Sequence, residues 1–312
     1  MSDWQDKSIE QYAVCLVDVL GIRGKFEKWN TCEVHSPVTQ EPIRNTISPV
    51  IHFQNSFTDF FTKNQKRRDP AEVELHFSNS EAAESFLKAT DYRLGKQQFS
   101  DTFVFYSPTY NADGTPTTVP CVVLLMACVL AMIDSLAEKH PVRGAVTVGL
   151  GVELEKDNLF GPVFAQAHFI ESTLAGYPRV VISPEAIAFI EREAKVKRRD
   201  DAPCFMRNMA CTCLRLLTRD SDGQFVVDYL GKAIRDRADA KERTALAEKI
   251  KAGYDFSLSE WHRFVDANDQ KHALRYHLLL EYMESRLALW DINVSERQRV
   301  IDMSRMPPPH CT

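Results

Sequence analysis

The order of short apolar runs and helical patterns is the feature that most constrains the fold of this chain. Residues Tyr12–Val19 (YAVCLVDV) are apolar, rich in β-branched side chains and interrupted by Asp18, which predicts a central strand. Further strands are predicted at residues 92–99, 102–107, 142–152, 179–183 and 225–230. Helices are predicted at residues 42–63, 119–139, 161–175 and 184–195, while the polar stretch 66–88 receives no element. Strands that alternate with helices through residues 1–231 favour an α/β or α+β sandwich.

The composition changes after residue 231. Residues 233–306 carry charged and leucine-rich helical patterns, including HALRYHLLLEYMESRLALW. We therefore predict a first domain over residues 1–231 and a helical C-terminal extension over residues 232–312. The amphipathic pattern predicts that the extension packs against another surface, and it leaves open whether the extension completes a dimer or covers a site.

Composition and charge exclude several classes of protein. The chain has 312 residues, of which 44% are hydrophobic and 26% charged, enough for one substantial core or two modest domains. Its formal net charge of −5 argues against a duplex nucleic-acid partner, which needs a basic face, but allows a small anion held by metal ions. The longest apolar run, Val119–Ile133, is shorter than the ~20 residues of a membrane span, so a buried core helix is predicted there.

The cysteines and the N-terminus favour a cytoplasmic protein. Eight cysteines are scattered along the chain without the paired spacing of a zinc site, and we predict that their thiols are reduced. The N-terminal segment MSDWQDKSIEQ is polar and carries no secretory signal.

Two aspartates each interrupt a strand-like apolar stretch, Asp18 in LVDVLG and Asp101 in QFSDTFVF. A carboxylate in or beside a buried strand is costly unless it is paired, hydrogen-bonded or metal-bound. On neighbouring strands, the two would hold two hard divalent cations that clamp the phosphates of a nucleotide. The alternative is that each aspartate only caps a turn.

A glycine-bearing turn and an arginine add anion-binding groups. Leu20-Gly21-Ile22-Arg23-Gly24 directly follows Asp18, and glycine there lets backbone N–H groups approach a phosphate. Arg143 opens the strand RGAVTVG, where it would stabilise charge on a transferring phosphoryl group or form a surface salt bridge.

These segments together resemble the class III nucleotidyl cyclases. LVDVLGIRGKF is similar to the first metal-ion motif of that family, and FSDTFVFYS is similar to its second-metal hairpin. PVRGAVTVG, LFGPVFAQAHFIES, YPRVVIS and FVVDYL extend the resemblance over about residues 11–231. The details look most like the pyrimidine cyclases of Pycsar antiphage systems.

The resemblance implies a fold, an activity and partners. The fold is a ferredoxin-like α+β core, mostly antiparallel, that forms a head-to-tail homodimer with two composite active sites. The activity is conversion of a pyrimidine nucleoside triphosphate to its 3′,5′-cyclic monophosphate and diphosphate with two Mn²⁺ or Mg²⁺ ions per site. The product activates a separate effector protein in antiphage defence.

The resemblance also assigns roles to residues. Asp18 and Asp101 are the metal ligands, joined by the carbonyl of Val19, and the backbone of Leu20, Gly21, Ile22 and Arg23 holds the phosphates.

Purine cyclases read the base with a lysine and an aspartate, whereas this chain has Gln97 and Asn158 at the corresponding places. Their helix also supplies an asparagine and an arginine, which here align with Ala165 and Phe169. Both departures argue against ATP and GTP. The charge-stabilising arginine must then come from elsewhere, with Arg143 the first candidate and Arg179 the second.

Three alternatives stay open at the level of sequence. UTP is preferred, but the residues do not separate it from CTP. A degenerate cyclase domain that binds nucleotide or protein without catalysis is a second reading, favoured by the missing asparagine and arginine. A polymerase-like or diguanylate-forming enzyme is a third, although the chain lacks a G-G-[DE]-E-F type run.

Overall fold

The structure is a computed structural model that describes residues 7–22, 25, 40–64, 80–90, 92–155, 157–196 and 202–294. The predictions for Arg23 and for the tail beyond residue 294 lie outside these described residues.

One mixed sheet of eight strands forms the centre of the described structure. Its strands are β1 (Glu10–Val19), β2 (Gly95–Phe99), β3 (Thr102–Pro108), β4 (Val142–Glu155), β5 (Asn158–Phe160), β6 (Val180–Ile182), β7 (Leu217–Arg219) and β8 (Phe225–Val227). The order across the sheet is β2-β3-β1-β4-β6-β8-β7, with β5 added beside β4. The pairing of β4 with β6 is parallel, and the other pairings are antiparallel.

Helices flank this sheet, so the predicted α+β class is confirmed. They are α1 (Gln40–Asn64), α2 (Ser80–Thr90), α3 (Val119–Ala137), α4 (Pro162–Thr173), α5 (Pro184–Lys195), α6 (Ala202–Arg215), α7 (Lys232–Arg235), α8 (Ala240–Asp266) and α9 (Gln270–Leu287). The sequence analysis missed α2, α6, β5 and β7. Strands of three residues are too short for an alternating pattern, and α2 lies in the stretch that looked only polar.

The two faces of the sheet are set by the alternation of side chains along β1. Ala13, Cys15 and Val17 point into the main core with α3, because successive side chains of a strand point to opposite faces. Tyr12, Val14 and Leu16 point to the other face and pack with Val163 and Ala167 of α4. Asp18 continues this second row, so the fold directs its side chain to the α4 face.

Helix α3 is the central helix of the main core. It is long and apolar enough to cross a membrane, but 83% of its most apolar window is buried inside the protein. Phe53 and Phe57 of α1 pack in the same core, where Phe57 stacks on Phe105 at 3.8 Å between ring centroids. The prediction of a buried core helix at this run is confirmed.

The C-terminal helices share this core. Lys249 of α8 forms an ion pair with Asp134 of α3 at 2.7 Å, and Gly253 lets the two helices approach because a Cβ there would lie 3.0 Å from Leu136. Trp261 of α8 and Leu280 of α9 are buried in the main core cluster. The division of the chain at residues 231 and 232 stays a prediction.

Candidate functional site

The ends of β1 and β3 bring Asp18 and Asp101 side by side. Asp18 lies opposite Thr102 in the antiparallel pairing, and Asp101 directly precedes Thr102 in the β2–β3 turn. The Thr102 hydroxyl donates to Asp18 Oδ1 at 2.9 Å, and the Val19 N–H donates to the Asp101 carbonyl at 3.2 Å. Two aspartates that are distant in sequence therefore lie close together at the same end of the neighbouring strands β1 and β3.

Arg143 lies on the other side of Asp18. It is the register partner of Asp18 in the β1–β4 pairing, and its Nη2 lies 3.7 Å from Asp18 Oδ2. Its Nε lies 2.6 Å from Oε1 of Glu171 on α4. Arg143 therefore connects Asp18 of β1 to Glu171 of α4, and its side chain is only partly exposed.

Glu171 is a residue of this site that the sequence analysis missed. It follows the buried α4 positions Val163, Ala167 and Ile170 at helical spacing, so the packing of α4 on the sheet carries it inward. A glutamate on the apolar face of a helix is the signal that would have revealed it.

Burial and nearby negative charge raise the pKa of Asp18 and of Glu171. Burial raises the pKa of Asp18 to about 6, and the negative charges of Glu171 and Asp101 add to the rise. The hydrogen bond from Thr102 and the charge of Arg143 oppose it. Burial also raises the pKa of Glu171, against the effect of Arg143. The guanidinium of Arg143 thus lies between two carboxylates, with Asp101 close enough for its charge to act on both of them. The site is rich in negative charge.

This negative charge fits a divalent cation. Carboxylate and carbonyl oxygens are the ligands that Mg²⁺ and Mn²⁺ prefer, and Mg²⁺ is commonly bound by one or two carboxylates plus substrate phosphates. Within the described residues no three His, Cys, Asp or Glu side chains form a metal-binding group.

The two residues predicted to recognise a base contact each other. Gln97 of β2 donates through Nε2 to Oδ1 of Asn158 in β5 at 2.9 Å. Gln97 lies opposite Val104 in the β2–β3 register, and therefore points to the α4 face like Asp18. Its Oε1 is buried and has no hydrogen-bond partner in the part of the chain that the structure describes.

The turn after β1 carries three of the four residues whose backbone is predicted to hold phosphates, Leu20, Gly21 and Ile22. Gly21 has a positive φ of 81°, which only glycine adopts at little cost, and the space beside its Cα is open. The Leu20 N–H donates to the Pro141 carbonyl at 2.9 Å, so this amide is already used within the protein. Ile22 is buried, and its side chain anchors the turn in the main core.

Arg179 belongs to a different cluster. Its guanidinium forms ion pairs with Asp220 and with Asp222, donates to the Leu174 carbonyl at 2.7 Å, and lies over the ring of Tyr177. The side chain is buried in these contacts, which fasten the β7–β8 turn to the end of α4. The structure does not bring it into the contacts of Asp18 or Arg143.

Aromatic side chains lie on the strand and the helix that border Asp101 and Arg143. We name as the aromatic surface the residues Phe99, Phe164 and Phe169, which come from β2 and α4. Phe99 and Phe164 meet edge to face at 5.9 Å, and Phe169 is 59% exposed. Exposed aromatic side chains in a group are typical of an interaction surface.

The C-terminal extension also reaches the site. Arg275 of α9 is half-buried, and burial together with the nearby charge of Arg143 lowers its pKa. The sequence carries no signal for this proximity, because it arises from the way α8 and α9 fold back along the core.

Comparison with known protein families and with curated proteins gives no match for this chain.

Proposed function

We propose that this protein is a class III-type nucleotidyl cyclase that converts a pyrimidine nucleoside triphosphate, with UTP preferred over CTP, to its 3′,5′-cyclic monophosphate and diphosphate. The observation that carries the proposal is the pairing of Asp18 with Asp101 at the ends of two neighbouring strands, beside the guanidinium of Arg143. The resemblance of the surrounding segments to class III cyclases supplies the reaction.

The residues of the site suit this reaction. The ribose 3′-hydroxyl attacks the α-phosphorus in line, a new P–O bond forms, and the bond to the leaving diphosphate breaks. Asp18, Asp101 and the carbonyl of Val19 would hold Mn²⁺ or Mg²⁺, which when bound lowers the pKa of the attacking hydroxyl and neutralises the phosphates. Arg143 stabilises the charge that develops on the transferring phosphoryl group.

The Gln97–Asn158 pair supports a pyrimidine substrate. Amide side chains both donate and accept hydrogen bonds, as the edge of a pyrimidine requires. The buried Oε1 of Gln97 has no donor among the described residues, and an N–H group of the base would satisfy it. The pair lies on the same face of the sheet as Asp18.

The aromatic surface supports the head-to-tail homodimer. Phe99 adjoins the turn that carries Asp101, so a partner covering its ring would lie beside that predicted metal ligand. Such a partner would exclude water from the rings and complete a composite site. We further propose that the enzyme is cytoplasmic and that its product activates a separate effector in antiphage defence.

The test is incubation of the purified chain with each of the four nucleoside triphosphates and Mn²⁺, with the products identified by mass spectrometry. We expect a cyclic pyrimidine monophosphate and diphosphate in equal amounts. Conversion of ATP or GTP alone would reject the pyrimidine substrate. A linear or dinucleotide product would instead favour a polymerase-like or diguanylate-forming enzyme.

A second candidate is a degenerate cyclase domain that binds nucleotide or protein and signals without catalysis. The exposed Ala165 and Phe169 favour it, because they align with the asparagine and arginine of purine cyclases. Tight binding of a nucleoside triphosphate without release of diphosphate would decide for this candidate. The retention of both aspartates and the placement of Arg143 argue for the enzyme.

A further inference from the structure

Glu171 is a buried carboxylate whose position is fixed by the packing of α4. Only 4% of the residue is exposed, because Ala167 and Ile170 on the same side of the helix are buried against the sheet. A charge buried to this degree needs a partner of opposite charge. The partner is Arg143, whose Nε lies 2.6 Å from Glu171 Oε1.

The contact engages one particular edge of the arginine. Glu171 forms a close ion pair at the Nε edge, in which the N–H group is not aligned with the carboxylate oxygen, while the terminal Nη2 faces Asp18 at 3.7 Å. Neither terminal nitrogen makes a hydrogen bond to a residue within the described ranges. The guanidinium is planar, so fixing Nε also fixes the direction in which its terminal N–H groups point.

We infer that Glu171 is a positioning residue, which holds Arg143 by its Nε edge so that the terminal nitrogens of the guanidinium face the phosphates of the bound nucleotide. This role rests on the proposed function and adds to it a residue of α4 that does not touch the substrate. Arg143 thereby reaches the phosphates already oriented, and no reorganisation is needed during the reaction.

The pair also has a consequence for the free protein. Asp18 and Glu171 both attract Arg143, but the ion pair with Glu171, at 2.6 Å, is shorter than the ion pair with Asp18, at 3.7 Å. Glu171 therefore keeps the arginine from closing onto Asp18, and the oxygens of Asp18 stay accessible to a cation.

Steady-state kinetics of three single variants test the role. We expect Glu171→Ala to lower kcat by roughly 10²-fold while KM changes less than about threefold, since misplacing a catalytic group affects mainly the chemical step. Glu171→Gln keeps an acceptor oxygen for Nε, and we expect it to regain activity to within about fivefold of the unchanged protein. The matched control is Glu193→Ala on α5, another buried carboxylate that pairs with Arg192 away from the site and should leave kcat unchanged.

A double variant separates positioning from a direct role. Arg143→Lys keeps the positive charge but has no Nε edge to hold, so adding Glu171→Ala to it should lower kcat by no more than about twofold. An independent readout is the ¹⁵N-detected Nε–H signal of Arg143 in the protein without nucleotide, assigned by its loss in Arg143→Lys. It should be protected from exchange in the unchanged protein and in Glu171→Gln, and unprotected in Glu171→Ala.

Three results would overturn the role: full kcat in Glu171→Ala, an additional large loss in the double variant, or a protected Nε–H signal in Glu171→Ala. If Glu171→Ala melts below the assay temperature, Glu171→Asp replaces it, with the same expected loss because the carboxylate is withdrawn by one methylene. An unchanged protein that converts no nucleoside triphosphate would overturn the proposed function together with this role. An active protein whose Glu171→Ala variant is equally active overturns the role alone.

Discussion

The two faces of the central sheet are built from the same strands but differ in chemistry. On the α3 face, Ala13, Cys15 and Val17 belong to a large apolar core. Cys15 and Cys128 in this core are free thiols whose sulfur atoms share a hydrogen bond at 3.2 Å. On the α4 face, the apolar row ends at Asp18, and α4 covers the sheet with Glu171 as well as with apolar residues.

The difference shows how one strand can serve both stability and chemistry. Because successive side chains of β1 point to opposite faces, the strand places apolar side chains in the main core and still directs one carboxylate to the α4 face. The core face tolerates little change of volume, whereas the α4 face depends on charge. Substitutions on the two faces should therefore affect different measurable properties.

The largest expected effect is on the α4 face. Asp101→Ala or Asp18→Ala removes one of the two predicted metal ligands and should lower the rate of cyclic nucleotide formation by roughly 10³-fold or more. The rate is followed by chromatography with Mn²⁺ in excess, and the melting temperature is measured in parallel. Asp134→Ala is the control, because Asp134 is an aspartate of α3 paired with Lys249 on the other side of the sheet. Full activity in both site variants would reject the metal assignment.

Truncation on the α3 face should act on stability instead. Phe105→Ala removes a fully buried ring that stacks on Phe57, and should lower the free energy of unfolding by about 3–5 kcal/mol. Urea unfolding measures the change. The matched control is Phe99→Ala, where the ring is 53% exposed and the loss should stay below about 1 kcal/mol. Equal losses at the two positions would contradict the description of the two faces.

The aromatic surface gives a smaller effect that separates assembly from folding. Replacing Phe99 and Phe169 together by glutamate should convert the proposed dimer to a monomer in light scattering, while the melting temperature changes by less than about 3 °C. Leu150→Glu is the control, since Leu150 is also exposed but lies on the α3 face of β4. A dimer that persists in the double variant would show that the surface is not its interface.

The smallest effect concerns pH on the α3 side. Burial lowers the pKa of His140 below its ordinary value of 6.5, and the nearby charges of Lys25 and His52 add to the shift. The unfolded chain then binds this proton more readily than the folded one, so stability is lost as the pH falls through 6.5 toward the folded value. Urea unfolding between pH 8 and pH 5 should show a smaller loss in His140→Gln than in the unchanged protein. His262→Gln, at an exposed position of α8, should lose as much as the unchanged protein.

Much of the fold could be predicted from local patterns. The long strands and α1, α3, α4 and α5 follow from apolar periodicity, because a residue's environment in a regular element repeats with a fixed period. The short strands β5 and β7 could not be predicted, since three residues contain too little pattern and form only when a neighbouring strand is already in place. The helix α2 was missed for a similar reason, because Phe86 finds its partner Phe205 only in the folded chain.

The candidate site divides in the same way. The sequence by itself determined that Asp18 and Asp101 stand within or beside apolar runs, because a carboxylate there is visible without any structure, and the structure places Asp101 in the β2–β3 turn. Only the tertiary structure decided that Glu171 holds Arg143, that Arg179 is engaged by Asp220 and Asp222, and that Arg275 lies near the site. Electrostatic interactions depend on distance in space. Residues that are close in space but remote along the chain leave no periodic pattern in the sequence.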